Sequence, residues 1–389
     1  MRWWPPLCGG AHNGVCSHLE CAQPGEAVLL ETSESAAAEQ RYPVEFSATA
    51  GEYFRIWIVN LALTLVTLGI YSAWAKVRKK RYFYAHTQIG GEGFEYRGNP
   101  IAILKGRIVA VLLLAVYAFS GQMSGLLQLV LGLVFAFAFP WLLVRSLAFN
   151  AHNSAYRNIR FHFGATYLDA LKVLALCAAL VLITVGIAYP YARARLTRFG
   201  ADYHQYGTAQ FALPSLTGTF YGIYLRLVGM TLLLLLLVVL LAALGAVALV
   251  GLGVDPRGGA AGMLMVAATP IGMLGVYLLW LAYPRARIGN AVWNNLAIGK
   301  TEQGDPRVRF DCRLRARDLA WLYLVNVGAI ILTLGLATPW AVVRTLRYRA
   351  GKMALQVAGG LDQFVAAQSA EVGASGEAVG EMFGLDFSF

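Results

Sequence analysis

The side chains able to do chemistry are few and scattered. The six histidines are His12, His18, His86, His152, His162 and His204, and no H-E-x-x-H pair occurs among them. Cys8, His12, Cys16, His18 and Cys21 crowd the first 21 residues and raise the question of a metal site. The surrounding stretch has no periodicity, so a disordered leader without metal or cofactor is the expected reading. There is no G-x-S-x-G nucleophile turn and no Walker pattern. Gly90-Gly91-Glu92-Gly93 is not followed by Lys-Ser/Thr and reads as a turn, not a phosphate loop. The 21 carboxylates lie mostly in the tails and loops and form no acid pair. These absences argue against an enzyme.

What remains is a set of polar groups inside apolar segments, where such groups are costly and usually functional. They are Asn60, Asn326, Thr67, Thr184 and Thr333, with Thr64 and Lys172 nearby. Asn60 and Asn326 share a register, seven residues before Thr67 and Thr333. The functional reading is a polar intramembrane site where the two segments meet. The plainer and expected reading is hydrogen bonding between helices, worth about 1 kcal/mol. No Asp or Glu sits in mid-segment, which weighs against proton coupling.

The threonines belong to a repeat. Thr67 to Arg78, Thr184 to Arg195 and Thr333 to Arg344 align without a gap on T-x-G-[IL]-x-x-[AP]-[WY]-A-x-x-R. Trp74 with Arg78, Tyr191 with Arg195 and Trp340 with Arg344 read as interface anchors, an aromatic belt and a cation. A belt does not account for a fixed Thr-x-Gly, so the segments read as internal duplications. Gly69, Gly186 and Gly335 are expected to act as hinges or to let helices pack closely.

The elements that carry these residues follow from composition. Of 389 residues, 58% are hydrophobic and 14% charged, against about 25% charged in soluble domains. Seven apolar segments stand out: Ile56–Ala75, Ile108–Phe119, Leu126–Val144, Val173–Tyr191, Thr231–Val254, Met263–Tyr283 and Leu319–Val343. About 20 such residues cross a bilayer. Short alternating runs precede the segments, with Phe46, Phe94, Phe161, Phe211 and Phe310 in like positions, and alternation signals strands. The expected fold is therefore an all-α polytopic membrane protein of about seven apolar helices, with internal repeats and short β-hairpins at the membrane surface. Residues 1–42 read as the leader, 43–365 as the repeated membrane domain and 366–389 as a flexible acidic tail.

The run "EFSATAGEYFRIWIVNLALTLVTLGIYSAWAKVRKKRYFYAHT", with "GEGFEYRGNPIAILKGR" after it, resembles the YjgN-like family of bacterial inner-membrane proteins. The likeness covers about residues 42 to 365 and is most specific in TLGIYSAWAKVRKKRY. It implies a multi-pass protein of the bacterial inner membrane and carries no catalytic residues over.

Net charge is +11. The cations crowd the ends of apolar segments, which points to anionic lipid headgroups and away from nucleic acid. If all seven segments cross, one side holds 16 cations and the other 15, a tie that breaks the usual positive-inside excess. Inverted repeats would explain the tie and suggest a transporter. Alternatively the Thr-x-Gly segments bend back at Gly69, Gly186 and Gly335, and all cations but Arg257 lie near one face. Only six residues separate Gly69 from Lys76, about 9 Å of helix, too little to recross the core. That favours seven crossings. The alternative function is a non-catalytic scaffold presenting a basic β-face to lipid or protein, its strand edges open to partner strands.

Overall fold

The computed structural model describes residues 39–251, 259–300 and 306–383. Its ten strands are β1 (Glu39–Phe46), β2 (Thr87–Ile89), β3 (Glu92–Tyr96), β4 (Ser154–Tyr156), β5 (Ile159–Phe163), β6 (His204–Tyr206), β7 (Ala209–Ala212), β8 (Ala297–Lys300), β9 (Pro306–Cys312) and β10 (Met353–Ala358). They close into one antiparallel barrel in sequence order, β10 pairing back onto β1. This overturns the all-α expectation. Closure leaves the described strands without the open edge that strand addition by a partner would need.

Successive strands are joined in two ways. At one end of the barrel the described joins, β2–β3, β4–β5 and β6–β7, are tight turns. Gly90 and Gly91, and Arg157 and Asn158, all have positive φ, as two-residue hairpin turns require. At the other end each join is a pair of helices. The pairs are α1 (Ala50–Val66) with α2 (Ser72–Ala85), α3 (Pro100–Met123) with α4 (Gly125–His152), α5 (Tyr167–Ile183) with α6 (Tyr189–Asp202), α7 (Thr217–Gly251) with α8 (Gly259–Trp293), and α9 (Ala316–Leu332) with α10 (Thr338–Ala350). Because an antiparallel meander alternates its ends, all five pairs leave and return at the same end of the barrel.

Local chemistry starts the helices where the strands stop. Thr49 caps α1, its hydroxyl accepting from Glu52 N–H at 3.3 Å. Asn99 caps α3 ahead of Pro100, and Thr166 with Asp169 forms a capping box on α5. Hydrogen bonds to the Thr166 hydroxyl and N–H hold the Asp169 carboxyl below its usual pKa.

The pairs come in two lengths, short, long, short, long, short. Three described helices, Pro100–Met123, Gly125–His152 and Thr217–Ala248, are long and apolar enough to cross a membrane. The 35-residue α8 brings the chain back from the far end of α7. The three short pairs are the Thr-x-Gly segments, and this corrects the count of seven. Ile56–Ala75, Val173–Tyr191 and Leu319–Val343 are not single helices but each folds in half, at Gly69, Gly186 and Gly335. The six residues after each glycine begin the second helix of the same pair, which runs back beside the first to the barrel. From Arg55 to Val66, α1 rises about 17 Å, and α2 returns beside it.

The barrel interior is filled from alternate strand positions. Ile89, Tyr156, Tyr206, Ile298 and Leu355 come from the even strands, and Val44, Phe94, Phe161, Phe211 and Phe310 pack against them. Each of the second set stands six residues before its helix. Val44, not Phe46, is therefore the counterpart of the four phenylalanines; Phe46 lies two residues nearer the helices and stacks on Phe83.

The segment from residue 366, expected as a flexible tail, continues the helix α11 (Leu361–Phe383). Leu361, Phe364 and Val365 at its start join the barrel core at the turn end. The Gln368 side-chain oxygen accepts from Thr208 N–H at 3.0 Å and Ala209 N–H at 2.9 Å. Asp362 pairs with Arg157. The seat is close, since a Cβ on Gly90 would stand 2.8 Å from Leu361. The Cys/His leader lies outside the described residues.

Candidate functional site

The three short corners have the same backbone. Thr67, Thr184 and Thr333 end the first helix of each pair. Leu68, Val185 and Leu334 then turn left-handed, with φ of 49°, 49° and 51°, and Gly69, Gly186 and Gly335 follow at 92°, 90° and 94°. Each glycine N–H reaches back five residues at 2.8 Å, to the carbonyls of Thr64, Val181 and Ile330. The residue before it reaches back three, at 3.2 Å. These two bonds satisfy carbonyls that a helix end leaves orphaned.

The threonine hydroxyl has a local task. It donates to the carbonyl four residues back at 2.7 Å and accepts the N–H four residues ahead at 2.9 to 3.0 Å, in all three copies. It thereby ties the first helix to the second. The glycines complete the left-handed corner. A Cβ on any of them would meet no atom within 4 Å, so close helix packing is not their role.

The residue at each corner is apolar, left-handed and almost bare: Leu68 is 93% exposed, Val185 91% and Leu334 95%. A non-glycine residue with positive φ is strained, and a β-branched one more so. Water would make the exposure costly as well. Leu65, Val66, Ile183, Ile187 and Leu332 surround these tips and are exposed too. Behind each tip stand the anchors. Arg344 lies 5.0 Å over the Trp340 ring, and Trp74 stacks on Tyr71 at 6.1 Å. Arg78 and Arg195 hold the same register on α2 and α6, with Tyr191 on α6 beside the latter.

Asn60 and Asn326 are buried but are not brought together by any described hydrogen bond. Asn326 Nδ2 donates to Ala341 O at 3.3 Å and Thr345 Oγ at 3.0 Å, within its own pair. The remaining short pair, α5–α6, carries Cys177 at this register, and its Sγ faces Ala192 O at 3.9 Å. Ala341 and Ala192 are each fifteen residues on. The position thus bridges the two legs of one helix pair. Asn60 Oδ1 and Asn326 Oδ1 have no partner.

The barrel itself holds an apolar cavity of about 170 Å³ lined by aromatic and aliphatic side chains, with Trp293 and Phe364 among them. Apolar cavities of this size stay dry. The hydroxyls of Tyr156 and Tyr206 are turned into the wall, donating to Ile89 O at 2.6 Å and Tyr156 O at 3.1 Å. Burial raises both phenols above their usual pKa. Nothing here is poised as a nucleophile or base. Sequence reasoning missed the barrel and its α11 plug. The available signal was the apolar residue six positions before every helix pair.

A family described as "Bacterial protein of unknown function (DUF898)" matches residues 41–382. The chain is also similar to "Inner membrane protein YjgN" of Salmonella typhimurium strain LT2, 28% identical over 162 residues, 39% of this chain and 40% of the relative. The protein of that name in Escherichia coli O157:H7 is 28% identical over 151 residues, 37% of this chain and 36% of the relative. That of Escherichia coli K12 is 47% identical over 51 residues, 13% of each chain. The matches thus span at most 40% of the relatives' length. No solved structure matches.

Proposed function

This chain belongs to the DUF898 family of bacterial proteins, and from that premise we propose that it is a non-catalytic scaffold of the inner membrane, held by helix pairs of two depths. The relatives are inner membrane proteins by name. In this reading α3–α4 and α7–α8 cross the bilayer and make the protein multi-pass. The three short pairs dip about 17 Å, half of a ~30 Å core. The barrel sits against the headgroups of one leaflet, which the positive-inside rule makes the cytoplasmic one. The recurrence of one corner geometry is read as duplication of a strand–helix–helix–strand unit.

The observation that carries the proposal is the single exit face. Five helix pairs leave one end of one barrel, so ten helices enter the near leaflet and four reach the far one. Such a body is a wedge. It gathers the lysines and arginines of the strands and helix bases near one membrane surface, where each is worth about 1 kcal/mol toward anionic lipid. The same geometry speaks against an inverted-repeat transporter, because every pair has the same orientation. The bonding of Asn326 inside its own pair and the dry barrel cavity point the same way.

The test is reconstitution into vesicles of 30 to 200 nm made with anionic lipid. The scaffold reading expects enrichment of the protein on small vesicles and no passage of ions or small dyes. Solute flux above that of empty vesicles would replace it with the transport reading.

A further inference from the structure

The last short pair carries a cleft. A pocket of about 650 Å³ opens between α9 and α10, lined by Arg317, Asp318, Trp321, Arg344, Arg347 and Tyr348. Its lining holds three guanidinium groups and one carboxylate. Asp318 is shared between Tyr348 OH at 3.4 Å and Arg317 Nε at 3.9 Å, so it neutralises at most one cation. Arg347 Nη2 is already used, donating to Ala48 O at 2.7 Å. Arg344 is different. Its Nη1 is buried without a hydrogen-bond partner. A buried unpaired donor costs about 1–3 kcal/mol, more when charged, and a guanidinium fork suits a phosphate.

The placement selects among anions. Arg344 is stacked on Trp340, and Trp321 is 63% exposed at the rim. Tryptophans of this kind lie at the headgroup level. The bare tip at Leu334 lies ten residues before Arg344, on the side away from the barrel. In the sister pairs Arg78 and Arg195 repeat Arg344, but Gly51 and Leu168 stand at the place of Arg317, and Arg55 and Lys172 at that of Trp321. We propose that this cleft binds the phosphate of an anionic phospholipid, with the Arg344 guanidinium turning its buried Nη1 out to a phosphate oxygen, Arg317 closing over the headgroup and Trp321 lying along the glycerol. The inference rests on the reading that the short corners dip into the bilayer.

The experiment is native mass spectrometry of the full chain in detergent, titrated with dioleoyl phosphatidylglycerol, dioleoyl phosphatidylcholine or inorganic phosphate. One tightly held phosphatidylglycerol is expected, at least tenfold weaker in Arg344→Gln and severalfold weaker in the exposed Arg317→Gln. Phosphatidylcholine should bind at least tenfold more weakly. Equal retention of phosphatidylglycerol by wild type and both variants overturns the site. Competition by inorganic phosphate at equal concentration makes it a free-anion site and overturns the lipid assignment. Should Arg344→Gln not fold, Arg317→Gln alone decides. A fluorophore on Leu334→Cys, quenched by brominated acyl chains in vesicles, separates the two levels. An unquenched tip sinks the membrane reading itself, while a quenched tip with unaltered lipid binding sinks only the cleft.

Discussion

The short and long helix pairs grow from the same barrel by the same kind of strand exit, yet they end differently. In α1–α2, α5–α6 and α9–α10 the corner is Thr, a left-handed apolar residue and Gly, and the first cation returns nine to eleven residues after the threonine. In α3–α4 the corner is Ser124, in extended backbone between two helices of 24 and 28 residues, and Arg145 comes twenty-one residues later. Depth is therefore written in the distance from corner to cation. In the scaffold reading a cation stays at the headgroups, so nine to eleven residues of return would permit half a bilayer and about twenty the whole of it.

The largest expected effect comes from putting a charge far along a long pair. Leu236→Arg on α7 should cost about 2.5–3.5 kcal/mol of insertion and lower the yield of membrane-integrated protein severalfold. Leu334→Arg on a short tip should cost clearly less, because that pair can withdraw toward the headgroups. Equal losses would erase the difference in depth. The corner backbone comes next. Gly335→Ala places a Cβ at φ 94° and should destabilise by about 1–3 kcal/mol, read as a lower melting temperature in detergent. Gly106→Ala, in mid-α3 with open space around it, should not destabilise.

Smaller effects test the leg-to-leg bridge. Asn326→Ala should cost about 1 kcal/mol, while Cys177→Asn should be close to neutral, since both positions face the same carbonyl of their own pair. A severe loss in Cys177→Asn would mean that the registers are not equivalent. The smallest effect is a pH slope. Burial, then His152 and Arg160, lower the pKa of His162 on β5. As pH falls through the usual histidine value the unfolded chain takes the proton first, so stability drops from there toward the lower folded-state pKa. His162→Gln should flatten that part of the melting curve, and an unchanged slope would remove His162 as its source.

Much of this arrangement was visible in the residues, but not as a fold. The Thr-x-Gly repeat, its anchors and the strand signals ahead of each helix are plain in the sequence. Seven crossings came from summing hydropathy across Ile56–Ala75 as though it were one helix, when Leu68 and Gly69 divide it. The near-equal split of 16 and 15 cations was the better witness, because a statistical rule broken so evenly points to a wrong topology. Barrel closure was out of reach. Strands such as Ser154–Tyr156 and His204–Tyr206 have three residues each, too few for alternation to show, and closure depends on β10 meeting β1 across more than 300 residues. Repeated phenylalanines drew attention to Phe46, while distance to the next helix identifies Val44. The helix α11 was hidden by its glycines and acids, which suit a flexible tail, and its seat on Gly90 and the Thr208 turn is a tertiary fact.

One measurement bears on the central claim most directly. The native cysteines are replaced, and single cysteines are placed at Glu92 on β3, Gln210 on β7 and Ser124 at the α3–α4 corner, all exposed. Intact cells are then labelled with an impermeant thiol reagent. A barrel with one exit face in the cytoplasmic leaflet predicts that Glu92→Cys and Gln210→Cys are both protected and Ser124→Cys is labelled. Labelling of only one of the two barrel positions would place β3 and β7 on opposite sides of the membrane and contradict the account.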